Sequence, residues 1–165
     1  MSVSAKKNKQ LVDDMVKGLN ENVLGVMNRY WKEDMVWVGP AGIGTMNGLD
    51  EFEHVYRKPF IRAFPDKVAT DVVRIAEGEW VAASGYQDTT FAKDWLGLKA
   101  SGQKIRMRYM DFWRVEVDAE TGQRQLAENL VLIDILGVLE QLGYDITKVL
   151  KFIGSKPPEF FEDVE

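Results

Sequence analysis

Four consecutive extended segments, separated by short turns, fill the middle of this sequence. They run from Val68 to Glu77, from Trp80 to Ala92, from Lys104 to Val117 and from Arg124 to Ile133. Each segment is rich in β-branched and aromatic residues, and turn-forming residues stand between them at positions 78–79, 102–103 and 118–122. Strands joined by such short turns run in opposite directions, so the pattern predicts an antiparallel sheet built from successive hairpins.

Helical spacing of apolar residues precedes the four segments. From about Lys6 to Trp31 the spacing predicts one broken helix or a pair of helices, with Asn20 or Asn22 as a cap between them. A short strand is expected from Met35 to Val38. The turn-forming cluster at positions 39–44 lacks the spacing and the lysine of a phosphate-binding loop, which argues against a nucleotide site.

Short helices are predicted on both sides of the extended segments. Asn47 can cap a helix from Leu49 towards Arg57, and Pro59 fits the first turn of a second one. After the last segment, a helix is expected from about Ile135 to Leu142, and Asp145 can cap a final short helix. These elements define an α+β fold. Helices across the open side of a cone-shaped, curved antiparallel sheet would enclose a pocket.

The composition indicates one domain with neither nucleic acid nor membrane as a partner. The 165 residues are 45% hydrophobic and carry a net charge of −5, a sign that disfavours binding to phosphate backbones. We expect a single domain over residues 1–165, with its core at about 20–155 and tails at 1–10 and 156–165. Because the sequence has no cysteine, no signal-peptide pattern and no membrane-length apolar run, a cytoplasmic protein is expected. One histidine and scattered acids predict no metal site.

The third extended segment places a carboxylate on an apolar face. Alternation puts on one side of this strand Ile105, Met107, Tyr109, Asp111, Trp113, Val115 and Val117. Six of these seven residues are apolar or aromatic. We therefore expect Asp111 to point towards whatever the sheet encloses, although an arginine or a helix terminus could also explain its position.

Asp134 is a second acid in apolar surroundings. If the fourth extended segment is regular, one face holds Glu128, Leu130, Leu132 and Asp134. A second or third carboxylate could then converge on the same interior as Asp111. Removal from water would raise the pKa of such a carboxyl above the ~3.9 of an ordinary aspartate, into a range useful for acid/base chemistry. The alternative for Asp134 is an N-cap of the helix that follows it.

The run from Asp134 to Gly143, with Glu128-Asn129 just before it, resembles the closing signature of the SnoaL-like polyketide cyclases in the nuclear-transport-factor-2-like (NTF2-like) superfamily. Four further segments agree in order and rough spacing, at positions 37–42, 48–52, 63–66 and 76–80. The resemblance covers about Val23 to Gly143. It implies a cone-shaped α+β barrel with an apolar pocket, usually a homodimer through the outer face of the sheet.

The resemblance also implies a chemistry. Enzymes of this group close polyketide rings by intramolecular aldol reactions without a cofactor, and the aspartate that matches Asp134 is their acid/base residue. Asp111 resembles the second member of an aspartate pair found in some relatives. A tryptophan is common in the family at the position of Leu130, which is therefore expected to enlarge or reshape the pocket. Related epoxide hydrolases have an arginine where this chain has Tyr109, which argues against epoxide hydrolysis.

The aldol chemistry needs one well-placed acid/base group and a platform for the substrate. Such a group removes a proton from a carbon between two carbonyls and supplies a proton to the oxygen that becomes an alcohol. Trp37, Tyr56, Tyr109 and Trp113 would hold a small, planar carbonyl compound. Tyr109 or Asn129 could donate a hydrogen bond to the developing enolate.

Three functions are compatible with these residues. The first is a cofactor-independent enzyme of the aldol cyclase type, acting through Asp134 and Asp111. The second is a non-catalytic module of the same fold that binds a small molecule. The third is an isomerase that moves a proton in a smaller ketone, for which two inward carboxylates and Tyr109 would also serve.

Overall fold

The computed structural model describes residues 2–21 and 25–161, in which helices flank a six-stranded sheet. The strands are β1 Trp31–Val38, β2 Thr45–Asn47, β3 Val68–Glu77, β4 Trp80–Thr90, β5 Lys104–Val117 and β6 Arg124–Ile133. The α-helices are α1 Val3–Asn20, α2 Val26–Tyr30, α3 Leu49–Glu51, α4 Lys58–Ala63, α5 Ile135–Gln141 and α6 Ile146–Gly154. A π-helical turn, Phe52–Arg57, joins α3 to α4, and a 3-10 turn spans Pro158–Phe161. The predicted α+β class is confirmed.

The sheet is curled and unclosed, with the strand order β2-β1-β6-β5-β4-β3. The predicted hairpins are confirmed, because β3, β4, β5 and β6 pair in sequence and antiparallel. Two features differ from the prediction. The short strand β2 pairs with β1, and β1 lies parallel to β6. A parallel pair requires a long crossover connection, so no local turn in the sequence signals it.

The first helix begins earlier than the apolar spacing predicts. The Ser2 hydroxyl accepts a hydrogen bond from the Ala5 backbone N–H at 3.1 Å, which caps α1 about one turn before Lys6. Ala5 and Asn8 are both buried. Residues 3–10 therefore pack with the rest of the domain, and the expectation of a tail there is wrong. Positions 162–165, in the other expected tail, lie outside the described residues.

Asn20 links α1 to the sheet instead of capping α2. Its Nδ2 donates a hydrogen bond to the Ala69 carbonyl at 2.9 Å, and the Ala69 N–H donates to its Oδ1 at 3.0 Å. α2 begins after Gly25, whose φ of 71° is a left-handed conformation that glycine adopts without strain. The alternative cap, Asn22, lies outside the described residues. The two hydrogen bonds fix the end of α1 against β3.

The helical segment at positions 49–63 is capped differently from the prediction. Gly48, not Asn47, occupies the N-cap position of α3. Asn47 takes part through its backbone N–H, which donates to Glu51 Oε2 at 2.6 Å. Pro59 lies in the first turn of α4, as predicted. The π-helical turn has no counterpart in the prediction, and such turns occur frequently at functional sites.

The two C-terminal helices follow the predicted pattern. Gly143, just after α5, has a φ of 94°, the left-handed conformation expected where a helix ends. Asp145 Oδ1 accepts a hydrogen bond from the Lys148 N–H at 3.0 Å and caps α6. No residue of α6 is buried. In the described parts of the chain, none of the helices combines the length and apolar character that a bilayer crossing requires.

Candidate functional site

A cavity of about 140 Å³ lies between the inner face of the sheet and the helices packed across it. Its polar side chains are Asn20, Arg57, Lys67, Gln87, Asp111 and Asn129, and most of the remaining lining is apolar or aromatic. An engineered protein cavity of about 150 Å³ holds a benzene molecule, whereas sites for drug-sized ligands measure about 300–1,000 Å³. The cavity therefore has room for about one six-membered ring.

Stacked aromatic rings form a wall of this cavity. Trp37 and Tyr56 stack with their ring centroids 4.3 Å apart, and Tyr56 stacks on Phe60 at 5.2 Å. Phe52 packs against Trp37 with the centroids 5.5 Å apart. The π-helical turn carries both Phe52 and Tyr56, so it sets the spacing at which these rings meet the cavity. Trp113 of β5 lines the same cavity.

Gly39 makes room for the ring of Trp37. A Cβ atom at position 39 would overlap the six-membered ring of Trp37, which is 2% exposed and cannot move aside in a close-packed core. The glycine at this position of the 39–44 cluster therefore serves the packing of the cavity wall. This agrees with the absence of a phosphate-loop pattern in the sequence.

Asp111 lies in the cavity wall, on the face of β5 that the alternation predicts. Asn129 Nδ2 donates a hydrogen bond to Asp111 Oδ1 at 2.9 Å, and among the described side chains none donates to Oδ2. Burial raises the pKa of Asp111 to about 7. The Asn129 hydrogen bond acts in the opposite direction, and the nearby Asp71 carboxylate raises the pKa further. The positive charges of Lys67 and Arg74 also oppose it. A carboxyl with this pKa can accept and donate a proton near neutral pH.

Two tyrosines lie near Asp111 and differ in their availability to a ligand. The Tyr109 hydroxyl donates its hydrogen bond to Asp71 Oδ1, so it is not free to stabilise an enolate as expected. The Tyr56 hydroxyl has no hydrogen-bond partner in the part of the chain that the structure describes, and Tyr56 lines the cavity. Burial and the negative charge of Asp111 raise the pKa of Tyr56, which keeps the hydroxyl protonated. Tyr56 is therefore the better placed donor.

Asp71 and Arg74 hold Tyr109 in place from the edge strand β3. Arg74 forms ion pairs with Asp71 and with Asp13 of α1. The pairing of β3 with β4 shifts register just after Asp71, and Gly85 of β4 faces this bulge. A Cβ atom at position 85 would overlap the β3 backbone. The bulge and Gly85 together allow Asp71 to approach the Tyr109 hydroxyl.

From Asn129 to Ile133 the strand β6 turns its odd-numbered residues towards the cavity, and a register shift before this stretch places Leu126 opposite Val115 on the inner face. Across the inner face of the sheet, Asn129 pairs with Trp113 and Val131 pairs with Asp111. The outer face holds the set Glu128, Leu130, Leu132 and Asp134. Their grouping on one face was predicted correctly, but the expectation that Glu128 and Asp134 reach the interior is wrong. Leu130 does not line the cavity, so it cannot reshape the pocket.

Asp134 has two partners outside the cavity. Its Oδ1 accepts a hydrogen bond from the Gly137 N–H at 2.9 Å, which caps α5, and its Oδ2 accepts two from Arg108 at 2.8 and 2.6 Å. Partial burial acts to raise the pKa of Asp134, but the Gly137 hydrogen bond and the Arg108 charge outweigh it and hold the pKa below its usual range. The expected increase in pKa is therefore wrong. Asp134 and Asp111 are not brought together, and the geometry supports a structural role for Asp134.

Replacing Asp134 with alanine should destabilise the fold and leave the cavity intact. We expect the free energy of unfolding at pH 7 to fall by about 1 kcal/mol, which is typical for the loss of an N-cap. Because the folded-state pKa is lowered, this stabilisation is present above the unfolded-state pKa of about 3.9 and is lost as the pH falls. Urea unfolding at pH 7 and at about pH 3 should therefore show a smaller difference from wild type at the lower pH.

Asp134→Asn is the control for that measurement. Asparagine caps helices about as well as aspartate, so this variant should lose less stability at pH 7 than Asp134→Ala. If Asp134→Ala unfolds at the same urea concentration as wild type, the cap is not what the geometry indicates.

Two cations in the cavity wall, Arg57 and Lys67, were missed by the sequence reasoning. Lys67 immediately precedes β3 and is in phase with Ala69 and Asp71, so alternation along β3 could have placed it on the inner face. Arg57 ends the π-helical turn, which ordinary helical spacing does not reveal. Within the described residues, no three histidine or acidic side chains come together as a metal site.

Comparison with known proteins gives the same architecture. A family model described as a SnoaL-like domain matches residues 12–120. AclR, a proposed hydroxylase from Streptomyces galilaeus, superposes with a TM-score of 0.69 at 20% identity, covering 84% of this chain and 97% of that one. Wild-type IdmH, a proposed polyketide cyclase from Streptomyces antibioticus, superposes with a TM-score of 0.68 at 19% identity, covering 83% of this chain and 99% of that one. A proposed SnoaL-like polyketide cyclase from Jannaschia sp. CCS1 superposes with a TM-score of 0.72 at 15% identity, covering 84% of this chain and 93% of that one.

The structural matches establish the fold, and the family match establishes the family. At 20% identity or less, the solved structures share the α+β architecture and nothing finer can be transferred from them. A search of curated proteins found no match. The family model, however, covers more than half of the sequence, including the cavity-lining π-helical turn, β3 and β5. The resemblance seen in the sequence is thereby confirmed, and the chain belongs to the SnoaL-like domain family.

Proposed function

We propose that this protein binds a small apolar or aromatic carbonyl compound in its cavity and transfers a proton at the carbon next to the carbonyl, through Asp111 and without a cofactor. One observation carries the proposal. Asp111 is a cavity-lining carboxyl with a pKa of about 7, and in the described structure its Oδ2 receives no hydrogen bond. A general base is most effective when its pKa lies near the working pH.

The neighbouring residues support a complete proton-transfer cycle. Asp111 Oδ2 would take a proton from the carbon next to the carbonyl, the electron pair of the broken C–H bond would form a C=C bond, and the π pair of the C=O bond would move to the oxygen. The Tyr56 hydroxyl would donate a hydrogen bond to this enolate oxygen. Asp111 would then return its proton, either to another carbon of the substrate or to the alkoxide formed when the enolate attacks a second carbonyl. The first outcome is an isomerisation and the second is an aldol closure.

The cavity volume favours the smaller of these two reactions. About 140 Å³ accommodates one ring, and a chain that must fold into several fused rings needs more space. The names of IdmH and the Jannaschia protein suggest cyclase chemistry for this family, and that chemistry begins with the same proton abstraction. Proton transfer in a ring-sized ketone is therefore the reaction to test first.

Exchange of carbon-bound protons in D₂O tests the proposal directly. Proton NMR would follow cyclohexanone, cyclohexenone and acetophenone with and without the protein. The wild-type protein should accelerate loss of the signal from protons next to the carbonyl above the buffer rate. Binding without exchange, measured by quenching of the intrinsic tryptophan fluorescence, would instead support a non-catalytic binding module.

We also propose that two chains associate through the outer face of the sheet. Apolar side chains remain exposed there on adjacent strands, since Met110 is paired with Leu132 and the two are 53% and 62% exposed. Phe112, the next outward residue of β5, is 46% exposed. An exposed apolar patch of this kind is typical of a protein interface.

Light scattering after gel filtration measures this association. The wild-type protein should have twice the 18.8 kDa mass of one chain, and Phe112→Glu should shift the mass to that of a monomer, because a charge would be buried in the interface. Arg106→Glu, at an exposed outward position nearer the end of β5, serves as the control and should affect the dimer less. A monomeric wild-type protein would contradict the proposal.

A further inference from the structure

Lys67 is a cation in the wall of a largely apolar cavity. Across the described parts of the chain, its ammonium group forms neither a hydrogen bond nor an ion pair. It interacts with the charges of Asp111 and Arg57 at longer range. Burial lowers the pKa of Lys67, because the charged form loses hydration that no protein group replaces.

Arg57 is a second cation in this wall, and it is only partly neutralised. Its Nη1 donates to both carboxylate oxygens of Glu53, at 2.9 and 3.1 Å. Among the described residues, no acceptor is bound to its Nε or Nη2. Glu53 therefore balances one of the two positive charges, and the charge of Lys67 is left over. Asp111 does not balance it fully, because burial raises its pKa to about 7 and the carboxyl is only partly ionised at neutral pH.

We propose that the ligand carries a carboxylate group, which binds to Lys67 and Arg57 while the apolar part of the ligand packs on the aromatic wall. The inference rests on the proposed function and names its substrate class, a small carbonyl compound that is also a carboxylic acid. An anion would supply the hydrogen bonds that the Lys67 ammonium lacks, and such charge-assisted hydrogen bonds are the strong ones.

The dimensions of the site favour a carboxylate over a larger anion. A carboxylate is planar and matches the fork of N–H groups on an arginine. It also adds only three non-hydrogen atoms to a ligand whose ring takes most of the 140 Å³. Lys67 immediately precedes β3 and Asp111 lies within β5, so the two groups line the cavity from two strands that are separated by β4. The carboxylate would anchor one end and the carbonyl would face Asp111.

A matched pair of probes tests the inference without turnover. Benzoate and benzamide have the same ring and differ in charge, and quenching of the intrinsic tryptophan fluorescence, to which Trp31, Trp37 and Trp113 of the cavity wall contribute, reports their binding. The wild-type protein should bind benzoate about tenfold more tightly than benzamide, or better, as expected for a charge-assisted hydrogen bond. Lys67→Met should abolish this preference by weakening benzoate binding and should leave benzamide binding unchanged. Lys93→Met, which removes an exposed lysine outside the cavity, should retain the preference.

Each alternative outcome overturns the inference. Equal affinities in the wild-type protein, a preference that survives in both Lys67→Met and Lys67→Gln, or no benzoate binding at millimolar concentration would each do so. Failure of this inference is distinguishable from failure of the proposed function, because the benzoate and benzamide measurements depend on binding alone and the proposed function is tested by proton exchange. A protein that prefers benzoate through Lys67 and yet exchanges no protons would retain the carboxylate site and lose the catalytic proposal.

Discussion

Asp111→Asn should lower the rate of proton exchange at the carbon next to the carbonyl by a factor of about 10²–10⁴, the range typical for loss of a general acid or base. The amide retains an oxygen that can accept the Asn129 hydrogen bond, but it cannot take up a proton near neutral pH. The loss should therefore appear in kcat rather than in KM. The NMR exchange assay at several ketone concentrations measures both constants.

The pH dependence of the same reaction gives an independent check. Asp111 acts as a base only when it has lost its proton, so the wild-type rate should rise through about pH 7 and then level off. The residual rate of Asp111→Asn should lack this rise. A wild-type rate that is already constant between pH 5 and pH 8 would show that the reacting base is not a carboxyl with a pKa of about 7.

Stability measurements separate a chemical loss from unfolding. The folded-state pKa of Asp111 is raised, so the contribution of this residue to stability should fall as the pH rises from about 4 through about 7, where folding keeps a proton that the unfolded chain releases. Asp111→Asn has no such group. Its stability at pH 8 should equal or exceed that of the wild type in urea unfolding, even though its exchange rate is low.

Asp134→Asn makes the same chemical change outside the cavity and is the matched control for activity. It should retain an exchange rate close to that of the wild type, because Asp134 is bound to Gly137 and Arg108. If Asp134→Asn lost the activity and Asp111→Asn retained it, the acid/base role would return to Asp134, as the family resemblance implied.

The position of Asp111 could be predicted because strand periodicity is a local property. On one face of β5 all residues but one are apolar or aromatic, so only that face could be buried and the acid had to lie inside. The aromatic residues Trp37 and Trp113 were found for the same reason, since they belong to strands that the sequence defines well, whereas Tyr56 was chosen as an aromatic residue of a predicted helix that proves to be a π-helical turn. All three line the cavity.

The buried face of β6 could not be predicted in this way. Its outer face carries Leu130 and Leu132, whereas its inner face carries Asn129 beside Val131 and Ile133. The two faces are therefore similar in polarity, and pairing with β5 decides which one is buried. The exposed leucines, which misled the prediction, are the kind of residue that an interface would cover.

Asp134 also shows how one pattern can serve two explanations. An aspartate three residues before a glycine at a helix start fits a cap, and a Cβ atom at Gly137 would overlap the Asp134 carboxylate. The sequence contained this signal, but the family resemblance favoured catalysis. Arg57 and Lys67 were harder to find, because Arg57 ends a π-helical turn that helical spacing does not reveal and Lys67 lies just before an edge strand, so only the packing of these elements brings both to one cavity.

Trp37→Ala should be among the most destabilising single changes in the cavity wall. Trp37 is 2% exposed, stacks on Tyr56 at 4.3 Å and packs against Phe52. Loss of a buried aromatic ring costs about 3–5 kcal/mol, a large part of the roughly 5–15 kcal/mol by which a typical domain is stable. Urea unfolding at pH 7 measures the difference. Trp80→Ala, at a half-buried position on the outer face of β4, should cost less.

The same substitution tests whether cavity size limits the ligand. Removal of the Trp37 ring would enlarge the present 140 Å³ by roughly the volume of the lost side chain, if the wall does not collapse. The variant should then bind 1-tetralone, a two-ring ketone, which the wild type should bind more weakly than acetophenone. Addition of 1-tetralone should also restore part of the lost stability, because a ligand that binds only the folded state stabilises it. If the wild-type protein already binds 1-tetralone as well as acetophenone, the cavity opens in solution and its volume does not exclude the larger substrates of a ring-closing reaction.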